Sequence, residues 1–192
     1  MDNSEKLLSY LKHPNKIVAD YEHLPFKNNN FELIIFNCAM QWINNVPQFL
    51  TQVFDLLISD GIFIANFIGG NSLKKLRIKL TEAETKVGHI HSQHISPMIK
   101  FEDMTNLIKA ANFALCCVSY ETIDISYENT FNLMRDLKNH GANNSLGNKN
   151  FYTINKKMYE ILQADSKTFD DAVDLISVLA SKRGKNIKLI SG

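Results

Sequence analysis

Two apolar runs separated by an amphipathic segment constrain the fold of this chain most strongly. Residues 31–37 and 62–68 have the length and near-continuous apolar character of strands buried on both faces. Asn45 and Pro47 begin a helix between the two runs, and Gly61 follows its end. The apolar residues of this helix recur at intervals of three and four: Val46, Phe49, Leu50, Val53, Phe54 and Leu57. Strand, helix and strand in this order predict a parallel crossover unit, and hence an α/β fold with helices on both faces of a sheet.

Periodicity along the rest of the chain extends the same pattern. Further helices are predicted over residues 4–12, 72–86, 101–111, 128–140 and 154–164, and further strands over 16–19, 113–127 and 172–180. No repeat, linker or low-complexity block divides the sequence. We therefore predict a single domain over residues 1–192, in which residues 126–164 form a helical segment.

Composition excludes several classes of function. The net charge is +1, and no face carries the clustered Lys and Arg that nucleic acid or anionic lipid requires. With 45% hydrophobic and 21% charged residues the chain is globular, and no apolar run approaches a membrane span. The N-terminus lacks the order of a secretion signal, which favours the cytoplasm. Cys38, Cys116 and Cys117 form no CxxC motif, so neither a disulfide framework nor a zinc site is expected.

The residues that directly follow the predicted strands are the first candidates for a binding site, because α/β domains hold ligands at the carboxyl ends of their strands. Asp20 follows the first strand and can accept a hydrogen bond from an amino group or a ribose hydroxyl, or else cap a local turn. Trp42 follows the second strand, where its ring either walls a pocket or packs in the core. Gly69 and Gly70 follow the third and permit close backbone approach, without a G-x-G-x-x-G pattern.

Two further features lie outside the strand ends. His89, His91 and His94 fall within six residues, but no carboxylate lies at a matching offset in the cluster, so a solvated loop is favoured over a metal site. Arg135 is one of very few arginines and lies on the polar side of a predicted helix. Its guanidinium can hold a carboxylate through two hydrogen bonds, or can pair with Glu128 or Asp136 on the helix surface.

Several of these segments together resemble a known family. Three segments are similar to the middle of a class I S-adenosylmethionine-dependent methyltransferase: residues 20–26 (DYEHLPF), 37–42 (NCAMQW) and 57–61 (LISDG). Residues 70–77 and 133–142 extend the resemblance to two groups within that family. One is the malonyl-carrier-protein methyltransferase of biotin synthesis, and the other is the methyltransferase-like assembly factor of respiratory complex I.

The resemblance implies a Rossmann-like sheet with helices on both faces and S-adenosylmethionine as the cofactor. It implies that Asp20 meets the adenine amino group, with Tyr21 beside it. Asn37 and Ala39 are expected to line the cofactor through their backbone. Asp2 corresponds to the acidic residue that holds the ribose hydroxyls in the family.

The resemblance also points to an acceptor side. The malonyl-carrier-protein methyltransferase is resembled at Gln41, Trp42 and Arg135, and the assembly factor is resembled in the segment that contains His94. The resemblance implies that all four residues contact the substrate. The function implied is methyl transfer to a carboxyl of a carrier-protein-bound acyl group, with residues 126–164 on the acceptor side. The alternatives are a non-catalytic assembly factor for respiratory complex I, with a protein partner, and a gene remnant.

In the family, a first strand and a glycine-rich loop precede the residue that corresponds to Asp2. This correspondence predicts an N-terminally truncated domain that lacks the loop for the methionine end of the cofactor. A strand deprived of its neighbour exposes an edge that water tolerates badly. Three explanations account for this departure. The sequence begins after the true start of the protein, it is a gene fragment, or a second polypeptide completes the sheet.

Overall fold

The computed structural model describes residues 1–88, 98–140, 155–163 and 168–183. The helices are α1 (Glu5–Tyr10), α2 (Val46–Leu56), α3 (Lys74–Val87), α4 (Phe101–Ala110), α5 (Thr130–Asn139) and α6 (Lys156–Gln163). The strands are β1 (Phe31–Asn37), β2 (Leu57–Ile68), β3 (Leu115–Tyr127) and β4 (Phe169–Ser181), and a 3-10 turn covers Met40–Trp42. The predicted α/β class is therefore confirmed. In the described part of the chain, no helix is long and apolar enough to cross a membrane.

The four strands form one sheet in the order β1-β2-β4-β3. β1 and β2 are parallel, as the crossover pattern predicts. β3 and β4 are antiparallel, because Thr122 contacts Asp174 while Ser126 contacts Asp170, so that residue numbers rise on one strand as they fall on the other.

Backbone contacts divide the chain into two compact units, and the prediction of a single domain with an acceptor-side segment stays a prediction. The first unit consists of residues 1–67, 102–119 and 177–192. Its core lies where α2 covers β1 and β2. The ring of Phe49 on α2 lies 4.6 Å from that of Phe36 and 6.4 Å from that of Phe63, and Phe49 and Phe63 are almost completely buried.

The second unit consists of residues 68–101 and 120–176. Its core is a cluster that α3, α5, α6 and β4 share, and α3 packs directly on α6. The fully buried members of the cluster include Leu76, Leu80, Leu133 and Leu162. The helical periodicity of these leucines in the sequence thus reflects real burial.

Most element boundaries differ from those predicted by a few residues, and three differences affect the architecture. β2 begins at Leu57 rather than at residue 62, because Phe31 pairs with Leu57 while Leu33 pairs with Ile62, and the intervening residues bulge within the strand. Gly61 lies in this bulge, where a Cβ atom would stand 2.9 Å from the Cβ of Leu57. The predicted strand over 16–19 is reduced to a single parallel bridge, and α1 is capped by Ser4 rather than by the residues before it.

The N-terminus of α3 is capped from another part of the chain. Its own N-cap residue, Leu73, has a left-handed backbone (φ 56°) and no side chain that can cap. Instead, the carboxylate of Asp171 on β4 accepts hydrogen bonds from the backbone N–H groups of Leu76, at 2.8 Å, and Lys75, at 3.3 Å. Asp171 is only 5% exposed and Leu76 is buried, so removal of the carboxylate leaves the N–H of Leu76 without this acceptor and away from water.

We expect Asp171→Ala to lower the free energy of unfolding by about 1–2 kcal/mol, the usual cost of losing a helix cap. Asp170→Ala is the matched control, because Asp170 is exposed and its carboxylate accepts from the exposed Ser126 hydroxyl rather than from a helix terminus. Urea denaturation of both variants measures the difference. Equal losses of stability in the two variants would contradict the assignment of the cap to Asp171.

Candidate functional site

The loop that follows β1 forms the first half of the candidate site. β1 ends at Asn37, and the next residue, Cys38, adopts a left-handed backbone conformation (φ 50°) that non-glycine residues rarely adopt. Its N–H donates to the carbonyl of Asn66 on β2 at 2.7 Å, which holds the turn against the sheet. Met40, 1% exposed, anchors the 3-10 turn that follows. Backbone strain of this kind is typical of binding sites.

Gln41 carries an unsatisfied buried atom in this loop. Its Nε2 donates to the carbonyl of Cys38 at 2.7 Å, which fixes the orientation of the amide. Its Oε1 is buried, and within the described residues it has no hydrogen-bond partner. A buried acceptor without a donor lowers the stability of the fold by about 1–3 kcal/mol. A ligand that donated a hydrogen bond to Oε1 would recover this free energy.

Asp2 and Tyr21 form the second half of the site. The Tyr21 hydroxyl donates to Oδ2 of Asp2 at 2.8 Å, and the N–H of Ser4 donates to Oδ1 at the same distance. Burial raises the pKa of Tyr21, and the hydrogen bond and negative charge of Asp2 raise this pKa further. The phenol is therefore a neutral, permanent donor that orients the carboxylate of Asp2.

Hydrogen bonds that sequence reasoning missed connect residues 20–24 to α2 and to the residue pair that precedes it. Oε1 of Glu22 accepts from the backbone N–H and the Nδ2 of Asn44, which lies just before α2. Gln52 on α2 donates to the Glu22 carbonyl at 2.8 Å and accepts from the N–H of Leu24 at 3.0 Å. The only sequence feature that could have indicated these contacts is Gln52, a polar residue within the amphipathic helix α2.

Asp20 lies at the start of this tied segment with an exposed side chain. Its Oδ1 accepts from the N–H of Glu22 at 2.9 Å, which is the contact expected of a local turn. The next residue, Tyr21, packs its ring edge-on against Phe36 near the end of β1, with the ring centres 5.5 Å apart. The structure therefore links Asp2 to the end of β1 through Tyr21, and Asp20 precedes Tyr21 directly in the sequence.

The candidate site in the first unit presents acceptors rather than donors. The carboxylates of Asp2 and Asp20 keep free lone pairs beyond their internal contacts, and Oε1 of Gln41 has no donor. Hydroxyl and amino groups are the partners that such a set selects. A nucleoside, with its ribose hydroxyls and exocyclic amine, has the matching chemistry.

Arg135 lines a separate cavity in the second unit. The cavity has a volume of about 450 Å³ and is lined by Ser126, Tyr127, Glu128, Asn132, Arg135 and Asp136. The exposed guanidinium of Arg135 donates to the side-chain oxygen of Asn132 at 2.9 Å. Among the described residues it forms no ion pair with a carboxylate, although Glu128 and Asp136 line the same cavity.

The two carboxylates of this cavity have other partners. Asp136 accepts from the Tyr127 hydroxyl at 2.7 Å and lies 3.5 Å from His140, and Glu128 accepts from the side-chain amide of Asn132 at 2.9 Å. The hydrogen bond to Asp136 raises the pKa of Tyr127, and burial adds to the effect. Among the described residues, neither carboxylate of this cavity therefore forms an ion pair with the Arg135 guanidinium.

The other predicted positions have simpler outcomes. Gly70 is required for packing, because a Cβ atom there would stand 2.7 Å from the carbonyl oxygen of Met98, and Gly69 lies equally close to the side chain of Ile176. Trp42 is half-buried in the 3-10 turn. His94 and the other histidines of its cluster lie outside the described residues.

Comparison with known proteins identifies the family. A model described as methyltransferase domain matches residues 1–65, which contain Asp2, Asp20, Tyr21 and the loop after β1. The chain is 40% identical to "Putative methyltransferase RP459" of Rickettsia prowazekii (strain Madrid E) over 188 residues, which is 98% of this chain and 83% of the relative.

Two other relatives carry different names. The human "Arginine-hydroxylase NDUFAF5, mitochondrial" is 37% identical over 69% of this chain, and the "Malonyl-[acyl-carrier protein] O-methyltransferase" of Laribacter hongkongensis (strain HLHK9) is 25% identical over 81%. The chain spans only 39% and 50% of these two proteins.

A solved structure supports the fold independently. The crystal structure described as a putative methyltransferase from Bacillus halodurans C-125 superposes with a TM-score of 0.60 at 15% identity, covering 95% of this chain and 81% of that one. Sequence identity over nearly the whole chain, a matching domain model and a shared fold lead to one conclusion. The chain belongs to the class I S-adenosylmethionine-dependent methyltransferase family.

Proposed function

We propose that this chain takes part in methyl transfer from S-adenosylmethionine to a carboxyl group of an acyl chain bound to a carrier protein. The observation that carries the proposal is the guanidinium of Arg135, which lines a cavity of about 450 Å³ and has no carboxylate partner among the described residues. The similarity to a malonyl-carrier-protein methyltransferase supports this choice of acceptor.

The residues of the first unit fit the nucleoside part of the cofactor. Asp2 is oriented by Tyr21 and suits the ribose hydroxyls, and Asp20 is an acceptor suited to the adenine amino group. The backbone of Asn37 and Ala39 would line the same end of β1. The sequence holds no G-x-G-x-x-G motif, so the described residues provide less for the methionine end.

The chemistry demands few catalytic groups from the protein. When bound, S-adenosylmethionine supplies a methyl group on a positively charged sulfur, which is already a strong electrophile. A carboxylate acceptor is ionised at neutral pH and needs no general base. The protein therefore contributes by binding and aligning the two reactants.

Arg135 suits a dicarboxylic acyl acceptor such as a malonyl thioester. Its planar fork presents two parallel donors to a carboxylate, and such charge-assisted pairs are stronger than neutral hydrogen bonds. Each carboxylate oxygen keeps a second lone pair, so a held carboxylate can still act as a nucleophile. Gln41 and Trp42 on the first unit are proposed as substrate contacts on sequence resemblance.

A second candidate function is binding to a protein partner without methyl transfer. The 37% identity with a human protein named as an arginine-hydroxylase supports a function other than methyl transfer, since this identity exceeds the 25% found for the malonyl-carrier-protein enzyme. In this case an acidic acyl acceptor would not be recognised. The response of acceptor binding to Arg135 therefore separates the two candidates.

We expect Asp20→Ala to weaken the binding of both adenosine and S-adenosylmethionine by about 1.5–3 kcal/mol, the usual worth of a charge-assisted hydrogen bond. Calorimetry with the two ligands measures the effect. Asp55→Ala, an exposed carboxylate on α2, is the matched control and leaves binding unchanged. If Asp20→Ala lowered thermal stability without ligand and left affinity unchanged, Asp20 would only cap its turn.

We expect Arg135→Gln to raise the dissociation constant for a malonyl-carrier protein by an amount equivalent to about 1.5–3 kcal/mol, because one charged partner is lost. Arg135→Lys keeps the charge but loses the fork, so its effect is smaller and in the same direction. Adenosine affinity stays constant in both variants. Lys138→Gln, exposed on the same helix, is the control. Unchanged acceptor binding in Arg135→Gln would contradict the proposed acceptor.

A further inference from the structure

Asn132 connects a carboxylate and a guanidinium in the wall of the Arg135 cavity. Its Nδ2 donates to Oε2 of Glu128 at 2.9 Å, and its Oδ1 accepts from Nη2 of Arg135 at 2.9 Å. The three residues follow one another at intervals of four and three, which places them in a row at the start of α5. One neutral amide group therefore separates the negative charge of Glu128 from the positive charge of Arg135.

The first turn of α5 holds Asn132 in place. Asn129 is the N-cap of this helix, and its Oδ1 accepts from the backbone N–H of Asn132 at 2.9 Å. Asn132 is half-buried, whereas Glu128 and Arg135 are exposed. A short, half-buried side chain on a capped turn has less conformational freedom than two long, exposed side chains. The two charged groups therefore take their positions from Asn132.

The second carboxylate that lines the cavity does not compete for Arg135. Asp136 directly follows Arg135, and the side chains of consecutive helical residues do not face each other. Its Oδ2 accepts from the Tyr127 hydroxyl at 2.7 Å. Glu128 is therefore the lining carboxylate from which the guanidinium has to be kept apart.

A neutral residue at position 132 does not give α5 its greatest stability. The first turn of a helix favours a carboxylate, because the helix N-terminus carries a partial positive charge. A carboxylate at position 132 would also face Arg135 three residues later and pair with it. Asn132 provides neither contribution, and it leaves the guanidinium without a carboxylate partner in this row.

We propose that Asn132 is a positioning residue for the acceptor carboxylate. It orients the guanidinium of Arg135 through its amide oxygen and holds Glu128 through its amide nitrogen, so that the two charged groups do not pair. This role rests on the proposed function, in which Arg135 holds an acidic acyl group. Without the amide, Glu128 pairs with Arg135, and an incoming carboxylate first has to displace it.

Chemical modification of the full 192-residue chain with phenylglyoxal tests this arrangement without any acceptor. The reagent attacks a neutral guanidine, and a nearby carboxylate favours the charged form, so pairing slows the reaction. We expect Asn132→Ala to slow modification of Arg135 about threefold, the effect of an exposed ion pair. Adding Glu128→Gln to this variant restores the rate, whereas Glu128→Gln alone leaves it unchanged, because Asn132 already holds Glu128 away. Peptide mass spectrometry assigns the rate to Arg135, and Asn139→Ala, exposed on the same helix, is the matched control.

Binding of a malonyl-carrier protein to the same variants tests the role in recognition. We expect its dissociation constant to rise about threefold in Asn132→Ala and to return towards the wild-type value when Glu128→Gln is added. The affinity for adenosine stays constant in all variants. A purely structural role of Asn132 would not produce this rescue, because removing a second charged side chain does not repair a damaged helix. Circular dichroism checks that the fold is retained.

Modification of Arg135 that is unchanged or faster in Asn132→Ala overturns the proposal, and so does a rate that Glu128→Gln does not restore. Acceptor binding that Arg135→Gln weakens and Asn132→Ala leaves unchanged also overturns it, while the proposed function then stands. Unchanged acceptor binding in Arg135→Gln contradicts the proposed function instead. The modification rates then still decide whether Asn132 keeps Glu128 and Arg135 apart.

Discussion

The parallel pairing of β1 with β2 is the constraint on which the first unit depends. Parallel strands need a long connection, so α2 must cross over the sheet, and its buried Phe49 then contacts both strands. The same pairing brings the end of β1 beside Asn66 on β2, where the turn at Cys38 begins. The loop after β1, which carries Gln41, is thus positioned by the sheet, whereas the carboxylate of Asp2 is held by its own hydrogen bond from Tyr21.

Much of the fold could be predicted because burial leaves a periodic pattern in the sequence. The apolar run of β1 and the helical spacing in α2 and α3 correspond to elements that the structure contains. The start of β2 could not be predicted in this way. Its bulge depends on which residues of β1 lie opposite, and Gly61 looks like a helix terminator when only local sequence is considered.

The position of the candidate site is a prediction from the sequence, but its contacts could not be predicted in that way. The rule that ligands bind at the carboxyl ends of strands selected Asp20 and the loop after β1. The hydrogen bond between Tyr21 and Asp2 and the cap that Asp171 gives to α3 join residues far apart in sequence. Such pairs carry no periodic signal, because the two partners lie on different elements and only the tertiary structure brings them together.

The position of Trp42 gives the candidate site its own optical signal. It is the only tryptophan of the chain, and it lies half-buried in the turn after β1, beside Gln41. Light at the long-wavelength end of the aromatic absorption band excites the indole of Trp42 and does not excite the six tyrosines. The emission of the whole protein therefore comes from one loop, and its wavelength follows the polarity around that ring. Fluorescence of the unlabelled chain reports events in the loop after β1 without interference from the second unit.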